Sequence, residues 1–445
     1  MITHSSASGD RTQQLYRRGR ELIPGGTQLL SKRPEMYAPE LWPAYFQSAK
    51  GITLTDLDGR VFQDFSTMGI GACLLGYGCD AVDEAVITRI RNGSTSTLNA
   101  PEEVALAEKL VALHPWAQQA RFTRAGGEAM AVAVRIARTV TDRSVVAVCG
   151  YHGWSDWYLA ANLMGGDALG GHLLPGLEPA GVPAELTGTT FTFRYNQPAE
   201  LEAICARHGK RLAAIVMEPM RHDPPRDGFL EKVRAMADRF GAVLIHDEIT
   251  NGFRANFGGS HLRLGVDPDI AVFAKALGNG YPIGAVIGRA AVMDGAQQAF
   301  ISSTSWTEGI GSTAGLATLL EMERLQPWSR ITAVADRVMQ GWRDLAQSHG
   351  LAFTVHGGGN LCALHFGPGE DANAIRTLFT QEMLESGYLA GAGFYPCAAH
   401  TLNHVEVYLG AVDRVFADIA AARATGNIRA KLKHREADQG FRRLT

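Results

Sequence analysis

The sequence predicts an α/β fold with a mainly parallel β-sheet covered by α-helices on both faces. From about residue 101 to 325, helical patterns alternate with short apolar runs, and this alternation is typical of parallel strands joined by helices. The composition, 46% hydrophobic and 20% charged residues, is ordinary for a globular protein. We expect strands in the apolar runs at 144–150, 212–219, 242–249 and 269–276.

Shorter elements are predicted before this alternation begins. Residues 1–10 are polar, and we expect them to be frayed. Helical spacing over 11–22 is ended by the Gly-Gly pair of IPGG. Residues 51–65 alternate around DLDGR, which predicts a β-hairpin with an Asp-Gly turn. The first helices of the α/β region are expected at 101–114 and 128–140.

A smaller α+β lobe is predicted after residue 325. Short strands, as in 353–366, alternate there with helices, and the charged tail 429–445 is expected to be a surface helix or disordered. We therefore predict a large domain at 76–325, with 1–75 and 326–445 contributing to a small domain.

Charge and cysteine content exclude several classes of protein. The 42 Lys and Arg residues nearly balance 45 Asp and Glu residues, giving a net charge of −3, so no nucleic-acid partner is expected. No apolar run reaches the roughly 18 residues that span a membrane, so no membrane association is expected. The six cysteines lack CxxC spacing, which predicts reduced thiols in a cytoplasmic protein. The histidines lack the spacing of metal ligands, and no metal site is predicted.

Polar residues follow several of the predicted strands. Tyr151 and His152 follow one strand, Glu218 and Asp247 end two others, and Lys275 ends a fourth. In an open parallel sheet, ligands bind outside the carboxyl ends of the strands. We therefore expect these side chains to share one edge of the sheet and to form a functional site.

Asp247 and Lys275 each allow a structural and a functional interpretation. Asp247 fits either a structural salt bridge or helix cap, or an anion that holds a protonated ring nitrogen. Lys275 fits either a side chain that reaches solvent or a desolvated amine acting as nucleophile or base. Their occurrence together at strand ends favours the functional interpretation.

Gly126 and Gly127 lie just before a predicted helix. Backbone N–H groups at a helix N-terminus form an anion site suited to phosphate, although glycine is common at such junctions. No GxGxxG or P-loop pattern is nearby, so a dinucleotide or P-loop site is disfavoured. The hydroxyl-rich segment 302–315 supplies either a further phosphate contact or helix caps.

The order of these motifs resembles one enzyme family. GGEA at 126–129, YHG at 151–153, EP at 218–219, DEITNGFR at 247–254 and PDIAVFAKALGNGYPIGAVIG at 268–288 are similar to the class III aminotransferases. These are pyridoxal 5'-phosphate (PLP) enzymes of fold type I. The pattern resembles the glutamate-1-semialdehyde aminomutase-like subgroup in particular.

The resemblance extends from about residue 22 to 425 and implies the roles of the site residues. It implies a seven-stranded sheet in the large domain and a dimer-contact arm within 1–75. Lys275 would form the internal aldimine with PLP and shuttle the proton, and Asp247 would pair with the pyridinium nitrogen. The further cofactor-binding residues would be Tyr151 and Ile249 on the two ring faces, Gly126 and Gly127 at the phosphate, and His152, Glu218, Thr250 and Thr304. Relatives usually carry Gly-Thr where this chain has Gly126-Gly127.

The substrate is predicted from departures within the resemblance. The chain differs from the aminomutases at GGTQLLSKR (25–33), TMGIG (67–71) and STSWTEG (303–309). These changes add hydroxyl groups and the carboxylate of Glu308, and they favour a larger polar carbonyl acceptor, such as a keto- or aldehydo-sugar, with an amino acid such as glutamate as donor. Alternatives are glutamate-1-semialdehyde 2,1-aminomutase, another PLP-dependent mutase or racemase, or a catalytically silent regulatory homologue. The resemblance also implies a homodimer with active sites at the subunit interface, where Thr304 reaches the partner's site.

Overall fold

The computed structural model describes residues 10–165, 168–171, 176–220, 223–358 and 360–440. The strands are β1 (Phe46–Lys50), β2 (Thr53–Asp56), β3 (Val61–Phe65), β4 (Gln119–Thr123), β5 (Val145–Cys149), β6 (Thr190–Thr192), β7 (Leu212–Met217), β8 (Val243–Asp247), β9 (Ile270–Phe273), β10 (Gly284–Gly288), β11 (Thr354–Gly358), β12 (Leu361–His365), β13 (Tyr388–Ala390) and β14 (Gly393–Phe394). The helices are α1 (Arg11–Leu22), α2 (Asp80–Arg91), α3 (Glu102–Leu113), α4 (Gly126–Thr141), α5 (Asp156–Leu159), α6 (Pro198–His208), α7 (Phe229–Phe240), α8 (His261–Leu264), α9 (Ala290–Met293), α10 (Gly295–Gln298), α11 (Gly309–Leu325), α12 (Trp328–Ser348), α13 (Ala372–Glu385) and α14 (Leu402–Ala424).

The described chain divides into two compact units. The first contains the described residues within 1–68, 334–356 and 362–445, and the second contains those within 69–333 and 357–361. None of the helices in the described ranges is long and apolar enough to cross a membrane.

A seven-stranded sheet, ordered β4-β10-β9-β8-β7-β5-β6, forms the centre of the second unit. β6, β5, β7, β8 and β9 pair in parallel, whereas β10 runs antiparallel to both β9 and β4. Every residue of β5, β7, β8 and β9 is buried, and their sequences are accordingly apolar throughout, apart from His246 and Asp247 at the end of β8. The predicted α/β fold with a mainly parallel sheet is confirmed.

Both faces of this sheet are covered, because alternate residues of a strand point to opposite sides. One buried cluster combines β5 with α4, and a second combines β5 with α6 and α7. The first includes Ala133, Ile136, Val146 and Val148, and the second includes Val145, Ala147, Leu201 and Val233. The sheet is therefore packed against helices on both faces, and this packing fixes the positions of the groups at its edge.

The first unit is built on a four-stranded sheet of order β1-β2-β3-β13. β2 and β3 form the hairpin that DLDGR predicts, and Asp56 Oδ1 accepts hydrogen bonds from the N–H groups of Asp58 and Arg60 across the turn. Gly59 completes this turn with a φ of 80°, a conformation that disfavours other residues.

His400 is buried in the first unit beside Phe65, with ring centroids 5.0 Å apart. Its Nδ1 accepts the N–H of Cys397 at 3.1 Å, so its Nε2 donates to the carbonyl oxygen of Asp64 at 3.0 Å. Burial lowers the pKa of His400 from 6.5 to about 4. The folded protein therefore holds this ring neutral at neutral pH.

We expect the free energy of unfolding to fall as the pH drops from 6.5 towards 4. In this window His400 becomes protonated in the unfolded chain but not in the folded chain. The difference contributes about 3 kcal/mol to the free energy of unfolding above pH 6.5, and this contribution is lost as the pH falls to 4. Urea unfolding across the window measures the slope. His400→Gln should lower the number of protons taken up on unfolding by about one. His434→Gln, at an exposed histidine, should not change it. An unchanged slope in His400→Gln contradicts the assignment.

Candidate active site

A cavity of about 260 Å³ lies in the second unit at the carboxyl ends of β5, β8 and β9. Its lining also includes the first residues of α4, which follows β4. Eight of the predicted site residues line it: Gly126, Gly127, Tyr151, His152, Asp247, Ile249, Thr250 and Lys275. Residues far apart in sequence thus meet at the sheet edge where ligands are expected.

Lys275 lies just beyond β9 rather than within it. The strand ends at Phe273, and Lys275 begins a 3₁₀ turn with a φ of 48°, in the left-handed region that side chains disfavour. Its Nζ donates a hydrogen bond of 2.9 Å to Thr250 Oγ1. The left-handed residue turns the chain out of the sheet, and the lysine amine lines the cavity as a result.

Asp247, the last residue of β8, brings a carboxylate to the cavity while only 4% of its surface is exposed. Its Oδ1 accepts the N–H of Ile249 at 3.0 Å. Its Oδ2 lies 2.8 Å from His152 Nδ1, and because a carboxylate accepts, the proton of this contact is on the histidine. His152 Nε2 lies 3.2 Å from the carbonyl oxygen of Cys149. These contacts fix the carboxylate in one orientation.

The start of α4 supplies unpaired backbone donors to the same cavity. The first bond along the helix runs from Ala129 N–H to the carbonyl oxygen of Ala125, at 3.0 Å, so the N–H groups of Gly126, Gly127 and Glu128 have no acceptor within the helix. The Glu128 carboxylate accepts the N–H of Ala125 at 3.1 Å and caps the preceding turn. The helix is sixteen residues long, and its dipole favours an anion here.

Tyr151 and Ile249 are partly buried residues on the cavity wall. Tyr151 packs edge-on against Tyr158, whose hydroxyl donates to the carbonyl oxygen of Gly150 at 2.8 Å. Tyr281 also lines the cavity, and burial together with its hydrogen bond to Asp83 raises its pKa to about 12. The phenol of Tyr281 is therefore uncharged at neutral pH.

Glu218 and Thr304 are the predicted site residues that do not line this cavity. The Glu218 carboxylate lies behind it and accepts the N–H of Tyr151 at 3.3 Å, supporting the turn after β5. Thr304 is exposed in the 3₁₀ turn Thr304–Thr307. Neither contributes to the cavity within one chain.

Two features of the site were not predicted from the sequence. Trp154 lines the cavity, and its only signal was its position next to YHG. Arg124 also lines the cavity and pairs through Nε with Glu308 Oε1 at 2.6 Å. Glu308 also accepts the N–H groups of Ile310 and Gly311 at the start of α11, so it is not the available carboxylate that the sequence suggested. No local pattern links residues this far apart.

The amine, the carboxylate and the helix N-terminus match the chemistry of PLP, and comparison with known proteins decides the family. The sequence pattern described as Aminotransferase class-III matches residues 37–408. The chain belongs to the class III aminotransferases. The predicted family is confirmed, and since the family depends on PLP, this protein is a PLP-dependent transaminase that uses a small-molecule amino donor and a carbonyl acceptor.

Individual relatives agree with the family. The chain is 33% identical to 3-aminobutyryl-CoA aminotransferase of Cloacimonas acidaminovorans over 71% of this chain and 73% of the relative. It is 36% identical to glutamate-1-semialdehyde 2,1-aminomutase of Desulfovibrio desulfuricans over 69% and 73%. The FumI protein of Sphingopyxis sp. MTA144, solved in its PLP internal aldimine form, superimposes with a TM-score of 0.84 at 26% identity, covering 94% of this chain and 98% of FumI.

Gly126→Ala should weaken PLP binding in this class III aminotransferase. A Cβ at Gly126 would lie 2.9 Å from Ile249 Cδ1, so either the isoleucine or the start of α4 must shift. We expect the dissociation constant of PLP to rise roughly 5- to 150-fold, the equivalent of an overpacking cost of about 1–3 kcal/mol. Titration of the apoprotein with PLP, followed by absorbance, measures it.

The control for this titration is Gly410→Ala. A Cβ at Gly410 would meet nothing within 4 Å, so this variant should bind PLP as the parent does. Equal affinity in Gly126→Ala and the parent would show that the cavity does not depend on the close approach of Gly126 and Ile249.

Proposed function

We propose that the cavity holds the PLP of this transaminase, with its reactive end at Lys275, its ring nitrogen at Asp247 and its phosphate at the start of α4. The observation that supports this most is that an amine, a buried carboxylate and a helix N-terminus line one cavity of about 260 Å³. When bound, PLP supplies an aldehyde that condenses with amines and a ring that withdraws electrons from the adjacent carbon.

Lys275 is the proposed nucleophile and proton carrier. Its amine would take a proton from the substrate carbon that bears the amino group and return it to the cofactor carbon that carried the aldehyde. Thr250 accepts a hydrogen bond from this amine at 2.9 Å and keeps it oriented when it is not reacting. One positioned base of this kind contributes roughly 100- to 10,000-fold to the rate.

Asp247 is the proposed anchor of the ring nitrogen. A buried carboxylate is costly unless it is paired, and a protonated ring nitrogen is a suitable second partner beside His152. His152 acts as a positioning residue, because its two ring nitrogens lie against the Asp247 carboxylate and the carbonyl oxygen of Cys149. Tyr151 and Ile249 are proposed to cover the two ring faces, and Glu218 to hold the backbone of Tyr151.

We also propose a homodimer in which Thr304 of one chain completes the phosphate site of the other. Thr304 is exposed, and Phe300 nearby in sequence is 89% exposed, which is unusual for a large aromatic residue. A groove of about 690 Å³ runs alongside this segment and is lined partly by Val104 and Trp306. A second copy of the chain would cover these apolar groups. None of the six cysteines, all of which lie in the described residues, forms a disulfide, and this supports the proposed cytoplasmic location.

For substrates we propose glutamate as donor and a hydroxyl-bearing carbonyl compound, such as a keto- or aldehydo-sugar, as acceptor. The support is the cluster of hydroxyl side chains Ser302, Ser303 and Thr307, which line the groove at the proposed subunit interface. A second candidate acceptor is a 3-oxo acid or its acyl derivative, which would receive the amino group on carbon 3. The relative named 3-aminobutyryl-CoA aminotransferase favours it.

Lys275→Ala should abolish transamination and the covalent attachment of PLP, because the variant has no amine at this position. Turnover and mass spectrometry after borohydride reduction measure the two effects. Lys232→Ala, at an exposed lysine of α7, should behave as the parent does. Retained turnover in Lys275→Ala without added amine would contradict the assignment.

Mixed dimers of Lys275→Ala and Thr304→Ala chains test the shared site. One site of such a dimer lacks both side chains, and the other combines Lys275 of one chain with the partner's Thr304. We expect the mixed dimer to bind PLP with parental affinity at one site, whereas the Thr304→Ala homodimer should bind PLP weakly at both sites. Absence of any site with parental affinity in the mixed dimer would show that Thr304 acts within its own chain.

Incubation with a donor alone separates transamination from the aminomutase reaction of the other relative. A transaminase should release close to one equivalent of keto acid per active site and then stop until an acceptor is added. Complete isomerisation of glutamate-1-semialdehyde without a second substrate would identify a mutase. A screen of keto-sugars against 3-oxo acids and their acyl derivatives then identifies the acceptor class.

A further inference from the structure

Trp154 is an exposed tryptophan in the wall of the cofactor cavity. Its exposed fraction is 76%, although tryptophan is on average a highly buried residue. The roles proposed above leave it unused. Its indole N–H is a donor, and no acceptor for it is found among the described residues.

Two glycines bring Trp154 close to the start of α4. Gly153 has a φ of 102°, and a Cβ there would lie 3.4 Å from the Cα of Gly127, so the turn after β5 and the start of the helix are in close contact. A Cβ at Gly127 would lie 3.5 Å from Trp154 Nε1 and 3.8 Å from Trp154 Cδ1. The N–H edge of the indole therefore lies beside Gly127, in the first turn of α4, where the amides of Gly126 and Gly127 have no acceptor within the helix.

The cavity offers a phosphate few side-chain donors at this point. Each of its three terminal oxygens accepts more than one hydrogen bond, and the helix offers the N–H groups of Gly126, Gly127 and Glu128. Position 127 has no hydroxyl to add to them. A neutral donor suits the place, because Glu128 is close by and already accepts the N–H of Ala125.

We propose that Trp154 donates a hydrogen bond through Nε1 to the phosphate of PLP, and so takes the part of a hydroxyl side chain at position 127. This inference rests on the proposed function, since it requires the phosphate to lie at the start of α4. The ligand chemistry is that of a phosphate monoester. Without the phosphate group the indole has no acceptor, so the contribution is specific to phosphorylated ligands.

The first test compares PLP with pyridoxal, which lacks the phosphate. Trp154→Phe keeps an aromatic ring and removes the N–H donor. We expect the dissociation constant of PLP to rise roughly 10- to 100-fold, as for a hydrogen bond to a charged group, and that of pyridoxal to stay unchanged. Equal weakening of both ligands would overturn the proposal and indicate that the ring acts by packing alone.

Gly127→Thr in the Trp154→Phe background supplies a control by rescue. A Cβ at Gly127 makes only ordinary contacts, and the position has no left-handed φ, so a residue with a Cβ is tolerated there. Its hydroxyl should restore most of the lost affinity for PLP and leave pyridoxal binding unchanged. If the rescue failed in a variant whose circular dichroism and melting temperature match those of the parent, the proposal that Trp154 replaces a hydroxyl donor at position 127 would be contradicted.

The second test needs no change to the cavity. In the nuclear magnetic resonance spectrum of parent apoprotein labelled with ¹⁵N-tryptophan, the indole N–H signal of Trp154 is the one that is absent from Trp154→Phe. Inorganic phosphate should shift this signal, and PLP should shift it further. No shift with either ligand would overturn the proposal. If the parent failed to bind PLP at all, the proposed function itself would fail, whereas tight PLP binding with an unmoved Trp154 signal would reject the role of Trp154 alone.

Discussion

The parallel pairing of β5, β7, β8 and β9 is the constraint on which the site depends. Because these strands run in one direction, their carboxyl ends meet at one edge, and the residues that follow them become neighbours. Tyr151, Asp247 and Lys275 reach one cavity in this way. Helices on both faces fix the strands, so the positions of these groups are set by the packed core.

Two costly features are held in place by the contacts around them. A non-glycine residue in the left-handed region costs about 1–3 kcal/mol, and Lys275 adopts that conformation with a φ of 48°. The turn that follows it is held by Asn279, whose side chain accepts the N–H of Leu75 and donates to the carbonyl oxygen of Gly76. The buried carboxylate of Asp247 is likewise held by His152. Both features lie on the cavity, as expected where a site is pre-organised for its ligand.

Features that depend on local pattern were predictable, and those that depend on distant partners were not. The buried strands and the hairpin at 53–65 followed from apolar runs and turn chemistry, and the sheet is mainly parallel as predicted. The end of β9 was placed too late, because apolar residues continue past Phe273 although the chain has left the sheet. Glu308 was taken for an available carboxylate because nothing near it in sequence reveals Arg124. The proximity of Trp154 to α4 likewise arises only from the tertiary fold.

The reversal between β9 and β10 has a consequence for how such an enzyme can be altered. Since β10 runs antiparallel to β9, the chain from 274 to 283 turns back at the edge of the sheet that carries the cavity and does not cross to the opposite edge. A parallel neighbour would require a crossover helix and would carry the chain to the opposite edge. This single loop carries Lys275 together with Gly280, Tyr281 and Pro282, and all four residues line the cavity. It is one short segment between two paired strands. Its replacement by the corresponding segment of a related enzyme therefore leaves the strand order intact.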